Sequence, residues 1–332
     1  VKSEPAQPAR TAALRRVLSA AGPFLALAVV IALFAALAPD RFLTPYNLKT
    51  VATQTVIVGL GATGMTLVIV SGGIDLSVGS VIALASVLTA VMLRGGSGPV
   101  VSALGGVAAG AAFGALNGVL VTRLRIVPFI VTLGTMGVAR GFAKYLADEQ
   151  KVDAPARGLS LLMEKTPDPP WLLLAPGVWL MLALAVLVNV VLRQSVFGVQ
   201  ATAVGSSEAT ARLCGIRVER VKIAVYTIGG LFAGLAGVLQ FSRLTVGDPT
   251  TALGKELDVI AAVVIGGGSL SGGSGTILGS MVGAFLMSFL SNGCTLTGVP
   301  NYVQEIIVGV IIVAAVAADG IRRRVTLERE ET

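Results

Sequence analysis

VATQTVIVGLGATGMTLVIVSGGIDLSVGSVIALASVLTAVML, residues 51–93, is two apolar runs hinged on a short polar stretch, Gly72-Gly73-Ile74-Asp75-Leu76-Ser77. A helix needs about 20 mostly apolar residues to cross the hydrocarbon core of a bilayer, and both runs are near that length. Such runs recur along almost the whole chain. Of its 332 residues, 54% are hydrophobic and only 13% charged, and the mean hydropathy is +0.85. A soluble domain carries about 25% charged residues. The sequence therefore predicts an all-α polytopic membrane protein with ten membrane segments, near 22–39, 50–71, 76–93, 98–121, 127–147, 171–192, 221–241, 257–268, 274–291 and 303–319. The eighth is too short for a plain span and is expected to bend or re-enter. The first is read as a retained span rather than a signal peptide, because its run is long and Pro39 is a poor residue to follow a cut.

The charges supply orientation. Net charge is +7, and the basic residues flank apolar runs as topology signals rather than forming a nucleic-acid surface. Arg15 and Arg16, Arg123 and Arg125, the group from Arg193 to Lys222, and Arg322 to Arg324 are separated by even numbers of crossings. All four clusters then fall on the cytoplasmic face, with cytoplasmic tails at 1–20 and 321–332, a transmembrane domain at 21–320 and a cytoplasmic loop at 194–221. The loop near 148–170 falls outside, where it is either a docking surface or a plain connection. There is no His, and the two cysteines, Cys214 and Cys294, lack a metal-ligand spacing and fall on opposite sides. No metal site or disulfide is expected.

Residues 72–80 align without gaps to 266–274, sharing Gly72, Gly73, Leu76, Ser77, Gly79 and Ser80 with their counterparts. This predicts two related halves around a central path. Gly106, Gly110, Gly114 and Gly118, spaced by four, predict a groove for close helix packing, as do Gly230/Gly234 and Gly279/Gly283. Gly59-Leu60-Gly61-Ala62-Thr63-Gly64 spells a dinucleotide fingerprint, yet it sits inside one apolar run with no preceding strand. It reads as helix packing. No Walker A sequence is present, so ATP-driven work needs a partner.

Asp75 stands between two apolar segments. An acid at membrane depth is costly and is a functional candidate by default; it or Ser77 could equally cap the next helix. Gln54, Thr66, Asn117, Thr132, Thr135, Asn189, Ser288 and Gln304 add uncharged polar groups. They suit a neutral hydroxyl-rich solute better than an ion, or serve as interhelical hydrogen bonds. Residues 203–216 read as a short amphipathic helix. Ser206 or Ser207 starts it, Glu208 favours its dipole and Gly215 stops it, with Ala209, Leu213 and Ile216 as an apolar face and Arg212 elsewhere. A helix this short is marginal alone and should dock on something.

Four stretches resemble a known family: Ser71–Ser80; Pro128–Met136 with Ala139-Arg140-Gly141; the 203–216 segment; and Asp258–Gly267 continuing through Leu270–Gly273. Asn292-Gly293, Gly298-Val299 and Gln304–Ile307 fit as well. The chain resembles, over roughly residues 20–320, the membrane permease of ribose/xylose/galactose-type bacterial ABC sugar importers. The resemblance implies a multi-pass inner-membrane subunit that is not itself an enzyme and holds no cofactor, ATP and magnesium being bound by a cytoplasmic ABC ATPase. It further implies a periplasmic or lipid-anchored solute-binding protein and a second permease copy, identical or related, in the lipid bilayer, and no nucleic acid. The expected coupling residues are Gly205, Glu208, Ala211, Arg212 and Gly215, although Ser206-Ser207 departs from the Gly-Asn usual there. The expected pathway residues are Gly72, Gly73, Asp75, Ser77, Asn117, Thr135, Asn292 and Gln304. The rival readings are a permease for a branched-chain amino acid or nucleoside and an ion-coupled secondary transporter. A membrane-embedded enzyme would need clustered catalytic groups, which the spans lack.

Overall fold

The computed structural model describes residues 9–330, with side chains for 21–314, 316 and 317; residues 1–8 and 331–332, at the outer ends of the expected tails, lie outside the described residues. The described chain forms α1 (Ala9–Leu37), α2 (Pro45–Val70), α3 (Val78–Arg94), α4 (Pro99–Arg123), α5 (Pro128–Leu146), α6 (Pro176–Gln194), α7 (Val196–Ser206), α8 (Glu208–Leu213), α9 (Val218–Leu244), α10 (Lys255–Ile265), α11 (Ile277–Leu296) and α12 (Asn301–Glu330). Every expected apolar segment coincides with a helix. Five of these (α2, α4, α6, α9 and α11) are long and apolar enough to cross a membrane. α1 is helical from Ala9 and α12 continues to Glu330. Two short strands, β1 (Val152–Asp153) and β2 (Val246–Gly247), pair antiparallel and tie the 148–170 loop to the segment after α9. Both cysteines are free, Cys214 exposed and Cys294 buried.

α2 is the central post. Its residues are buried almost without interruption from Val51 to Val70, as an all-round apolar helix must be. Its hydroxyls are satisfied within the helix. Thr55, Thr63 and Thr66 donate to the carbonyls of Val51, Gly59 and Ala62 at 2.8, 2.8 and 2.6 Å, the usual back-bonding of helical threonines. Thr66 also donates to Ser280 on α11 at 2.7 Å. The would-be nucleotide motif is packing surface: Gly59 meets Met181 and Met281, Gly61 meets Val259 and Gly64 meets Gly229.

The expected glycine groove is the α4–α9 seam. A methyl on Gly110 would lie 2.6 Å from the Gly234 Cα, and one on Gly114 would lie 2.9 Å from the Gly230 Cα. One on Gly118 would lie 2.7 Å from the Ile223 Cα. Two backbones in direct contact gain dispersion energy that bulkier residues would forfeit.

Two helices begin part-way along α2 rather than at its ends. Val78, the first residue of α3, packs against Gly61, nine residues before the end of α2. At a rise of 1.5 Å per residue, the 71–77 stretch therefore climbs back about 13 Å into the interior. α10 is only 11 residues long, about 16 Å, which is half a hydrocarbon core. The bend expected of the eighth segment takes this form. The starts of α3 and α10 meet: a methyl on Gly79 would collide with the Glu256 carboxylate and lie 2.6 Å from the Ala252 carbonyl oxygen.

The two glycine loops share one form of helix ending, which the ends of α3, α8 and α11 show as well. Ser71, Gly72 and Gly73 donate to Leu67, Ile69 and Val68, and Gly266, Gly267 and Gly268 donate to Ala262, Val264 and Val263 in the same pattern. Gly72 and Gly267 both have positive φ, +79° and +90°, as the left-handed position of a Schellman cap requires. Gly72 thus matches Gly267, not Gly266. The second loop is the longer, its next helix starting at Ile277 rather than at the counterpart of Val78.

Gly230→Ala puts a methyl against the Gly110 carbonyl. Overpacking of that kind costs about 1–3 kcal/mol, and each kcal/mol moves the midpoint of a large domain by about 2–4 °C. Thermal unfolding in detergent should show a drop of several degrees for Gly230→Ala and none for Gly22→Ala, whose Cβ meets nothing within 4 Å.

Candidate functional site: a glycine junction, a buried network and a polar cavity

Ser207 starts α8, its hydroxyl accepting from the Thr210 N–H at 3.2 Å, and Gly215 at φ +82° follows its end. Glu208 sits in the first turn, where the helix dipole favours an anion. These limits match expectation. Ala211 is buried, while Ala209 is exposed, Leu213 is 89% exposed and Ile216 is half-buried, so the expected face leaves Ala209 and Leu213 open on the outer side of the arm. Two ion pairs to α9 fix the rotation, Glu208 with Lys222 and Arg212 with Glu219 (2.6 Å). They turn Ala211 inward and leave Leu213 facing out.

Gly205, just before α8, touches no outer surface of that arm. It is wedged between the ends of two other elements. A methyl there would strike the Val70 carbonyl and lie 2.8 Å from the Gly273 nitrogen. Gly273 donates to Val70 at 2.9 Å. A methyl on Gly272 would lie 2.8 Å from the Gly72 Cα and 2.5 Å from the Gly205 carbonyl oxygen. The loop after α2, the loop after α10 and the arm before α8 therefore meet backbone to backbone. Gly72, expected in the pathway, belongs to this junction. Gly73 packs on the Tyr226 hydroxyl.

Four of the expected pathway residues come together deeper in the fold. Asp75 Oδ1 accepts from the Ser77 N–H at 2.8 Å and the Ser77 hydroxyl at 2.6 Å. Asn117 Nδ2 donates to Ser77 Oγ at 2.9 Å, and Thr135 donates to Asn117 Oδ1 at 2.6 Å. All four side chains are buried. The network ties the re-entrant stretch to α4 and α5, and Asp75 closes an Asx-type turn onto Ser77. Asn292 and Gln304 lie elsewhere. Asn292 exchanges amide hydrogen bonds with Asn47 at 2.8 and 3.0 Å, and Gln304 donates to the Val299 carbonyl at 3.0 Å.

A third feature went unread in the sequence. Between α2, α9, α10 and α11 lies a polar cavity of about 220 Å³, lined among others by Gln54, Gln240, Arg243, Lys255, Asp258 and Ser288. Gln54 places it midway along α2. Lys255 pairs with Asp258 at 2.6 Å. Gln240 accepts from Arg243 at 3.1 Å and donates to Thr251 at 2.8 Å. A neighbouring cavity of about 620 Å³ shares Lys255 and Asp258 and reaches Gln304. The charges went unread because hydropathy assigns residues 243–256 to an outer loop, whereas that loop folds back until Glu256 meets the start of α3. The pull of Arg140, donating to the carbonyls of Pro249 and Thr251 at 2.7 and 2.8 Å, helps to hold it there.

Asn at position 75 keeps an acceptor for Ser77 and Asn117, whereas Leu strands their donors at about 1–3 kcal/mol for each unpaired buried group. Thermal unfolding should show Asp75→Asn within a few degrees of the native chain and Asp75→Leu well below it. Equal losses would mean that the charge itself is required.

Residues 47–316 match the family described as "Branched-chain amino acid transport system / permease component". The chain is 40% identical over 312 residues to the ribose import permease protein RbsC of Bacillus subtilis (strain 168), covering 91% of this chain and 93% of that one. It is 38% identical to the L-arabinose ABC transporter permease protein AraH of Azospirillum brasilense (89% and 86% covered). It is 34% identical to the D-allose transport system permease protein AlsC of Escherichia coli (strain K12), with 90% of each chain covered. No solved structure matches at comparable stringency. With a match over most of its length and a buried helical core built from the same residues, the chain belongs to the branched-chain amino acid transport system permease component family.

Proposed function

We propose that the chain is the membrane subunit of an ABC importer for a monosaccharide or similar polyhydroxylated solute, working as a dimer in the bacterial inner membrane. The observation that carries this reading is the full-length similarity to import permeases named for three different neutral sugars. The family description names branched-chain amino acids, and the predominantly polar lining of the 220 Å³ cavity favours the sugar. ATP hydrolysis is the work of a partner ATPase on the cytoplasmic side, and solute is delivered by an external binding protein.

In this reading the chain crosses the bilayer ten times with both termini inside. The third crossing is the re-entrant 71–77 stretch plus α3, and the eighth is the inward-folded 245–254 loop plus α10. Two related halves share the glycine-capped loops after α2 and α10. Support comes from the spatial grouping of Val70, Gly205 and Gly273, which puts the ends of α2 and α10 at the level of the α8 arm, the face assigned to the cytoplasm by its basic residues.

α8 is the coupling helix. The ATPase grips its exposed side, Leu213 with Arg212, while Ala211 and the Glu208–Lys222 pair hold it to α9. Movement of the arm presses Gly205 on both loops at once. Differential affinity of the ATPase for the two arrangements then shifts the permease between outward-open and inward-open states.

The defining test is uptake of labelled D-ribose, L-arabinose and D-allose into proteoliposomes holding this chain, its ATPase and its binding protein. Uptake should require ATP and all three components; uphill transport by this chain alone on an ion gradient would overturn the reading. Leu213→Asp should lower co-purification of the ATPase at least tenfold with an unchanged melting temperature, since exposed substitutions alter stability by only about 0.5 kcal/mol. Gly205→Ala should retain ATPase binding yet lose sugar uptake, measured in the same liposomes.

A further inference from the structure

The 220 Å³ cavity contains a buried donor with nothing to bond. Nε of Arg243 meets no acceptor, and no carboxylate lies within 4.0 Å of the guanidinium among the described residues. Leaving a buried polar group unpaired is costly, and in native proteins such groups mark functional sites or a missing partner. Gln240 occupies Nη2 only, and its own amide is fixed by Thr251. The fork is thus held in place with donors to spare.

The remaining lining specifies the missing partner. Lys255 and Asp258 cancel each other, so Arg243 leaves the cavity with an excess of positive charge. That charge repels a cationic solute; a zwitterionic amino acid brings a carboxylate as well, so the choice of a sugar rests on the rest of the lining. Gln54, Asp258 and Ser288 supply both acceptors and donors, and Ile57 and Met287 supply apolar surface. Adjacent ring hydroxyls match this array: their oxygens accept from a planar guanidinium fork, their protons go to Asp258, and the C–H face rests on the apolar side. A volume of about 220 Å³ is below the ~300–1,000 Å³ of drug-sized sites, which suits one sugar ring and not two.

Resting on the sugar-importer reading above, we infer that this cavity is a transit site for a single neutral monosaccharide, anchored by Arg243, which gives the permease a solute filter of its own beyond that of the binding protein.

The test uses the complete transporter in proteoliposomes, with D-ribose as probe, and reads sugar moved per ATP hydrolysed. Because the binding protein is unaltered, a change in that ratio reports the membrane subunit. Arg243→Met should lower it at least tenfold while ATPase activity stimulated by the loaded binding protein stays within twofold. Arg243→Lys, which keeps the charge but not the fork, should fall between. Ser288→Met, which fills the cavity without touching a charge, should lower the ratio as well and serves if Arg243→Met does not assemble. A native ratio in Arg243→Met, or in Ser288→Met where the former is lost, overturns the transit site. If the unmodified transporter moves none of D-ribose, L-arabinose and D-allose, it is the sugar-importer reading that fails.

Discussion

The carbonyl of Val70 lies in the last turn of α2, where a helix has no partner of its own to offer. Where neighbouring chain shuts out water such a group must find one, because a buried unpaired polar group costs about 1–3 kcal/mol. It finds the N–H of Gly273, from a loop two hundred residues away, at 2.9 Å. That bond requires two backbones to touch, and Gly205 is pressed into the same spot from a third direction. None of the three segments could carry a side chain there. The glycines at 72, 205, 272 and 273 serve one demand, that a helix end covered by other chain must have its polar groups closed by backbone.

The same demand explains the second broken place. α3 starts in the middle of the fold with Ser77 at its cap position and no side-chain bond to its own N-terminal groups. The Glu256 carboxylate sits at that N-terminus instead, where the helix dipole favours a negative charge. Asp75 folds back on Ser77, and Asn117 and Thr135 complete the ring of hydrogen bonds. A fully satisfied polar network of this kind fixes one arrangement of the surrounding helices.

Much of this was legible in the sequence, for reasons that can be stated. Segment limits follow from hydropathy, so 50–71 became α2 and 98–121 became α4 within a few residues. The four-residue spacing of Gly106 to Gly118 encodes one helix face, and that face is the α4–α9 seam. Ser207 and Gly215 are local capping signals and act locally. What stayed hidden depends on distance in space. No pattern at Asn292 announces Asn47 as its partner. Lys255, Glu256 and Asp258 look like the rim of a span because a hydropathy reading cannot tell a loop that leaves the membrane from one that folds back into it. The inward turn of Ala211 had no signal of its own, because the rotation of α8 is set by Lys222 and Glu219 on another helix.

α10 joins the two regions on which the function rests. Its C-terminal loop carries Gly272 and Gly273 to the junction with Gly205, and its first turn carries Lys255 and Asp258 into the polar cavity. The body between is a rigid rod of 11 residues, buried along Val259 to Val264 and packed on Gly283 and Gly61. Close-packed interiors transmit displacement instead of absorbing it. In the proposed mechanism a shift of the α7–α8 arm presses Gly205 on the loop after α10, and a helix with no internal break passes that push to its other end. The proposed coupling arm and the proposed transit site thus share one helix, so a push on the arm has a direct route to the cavity lining.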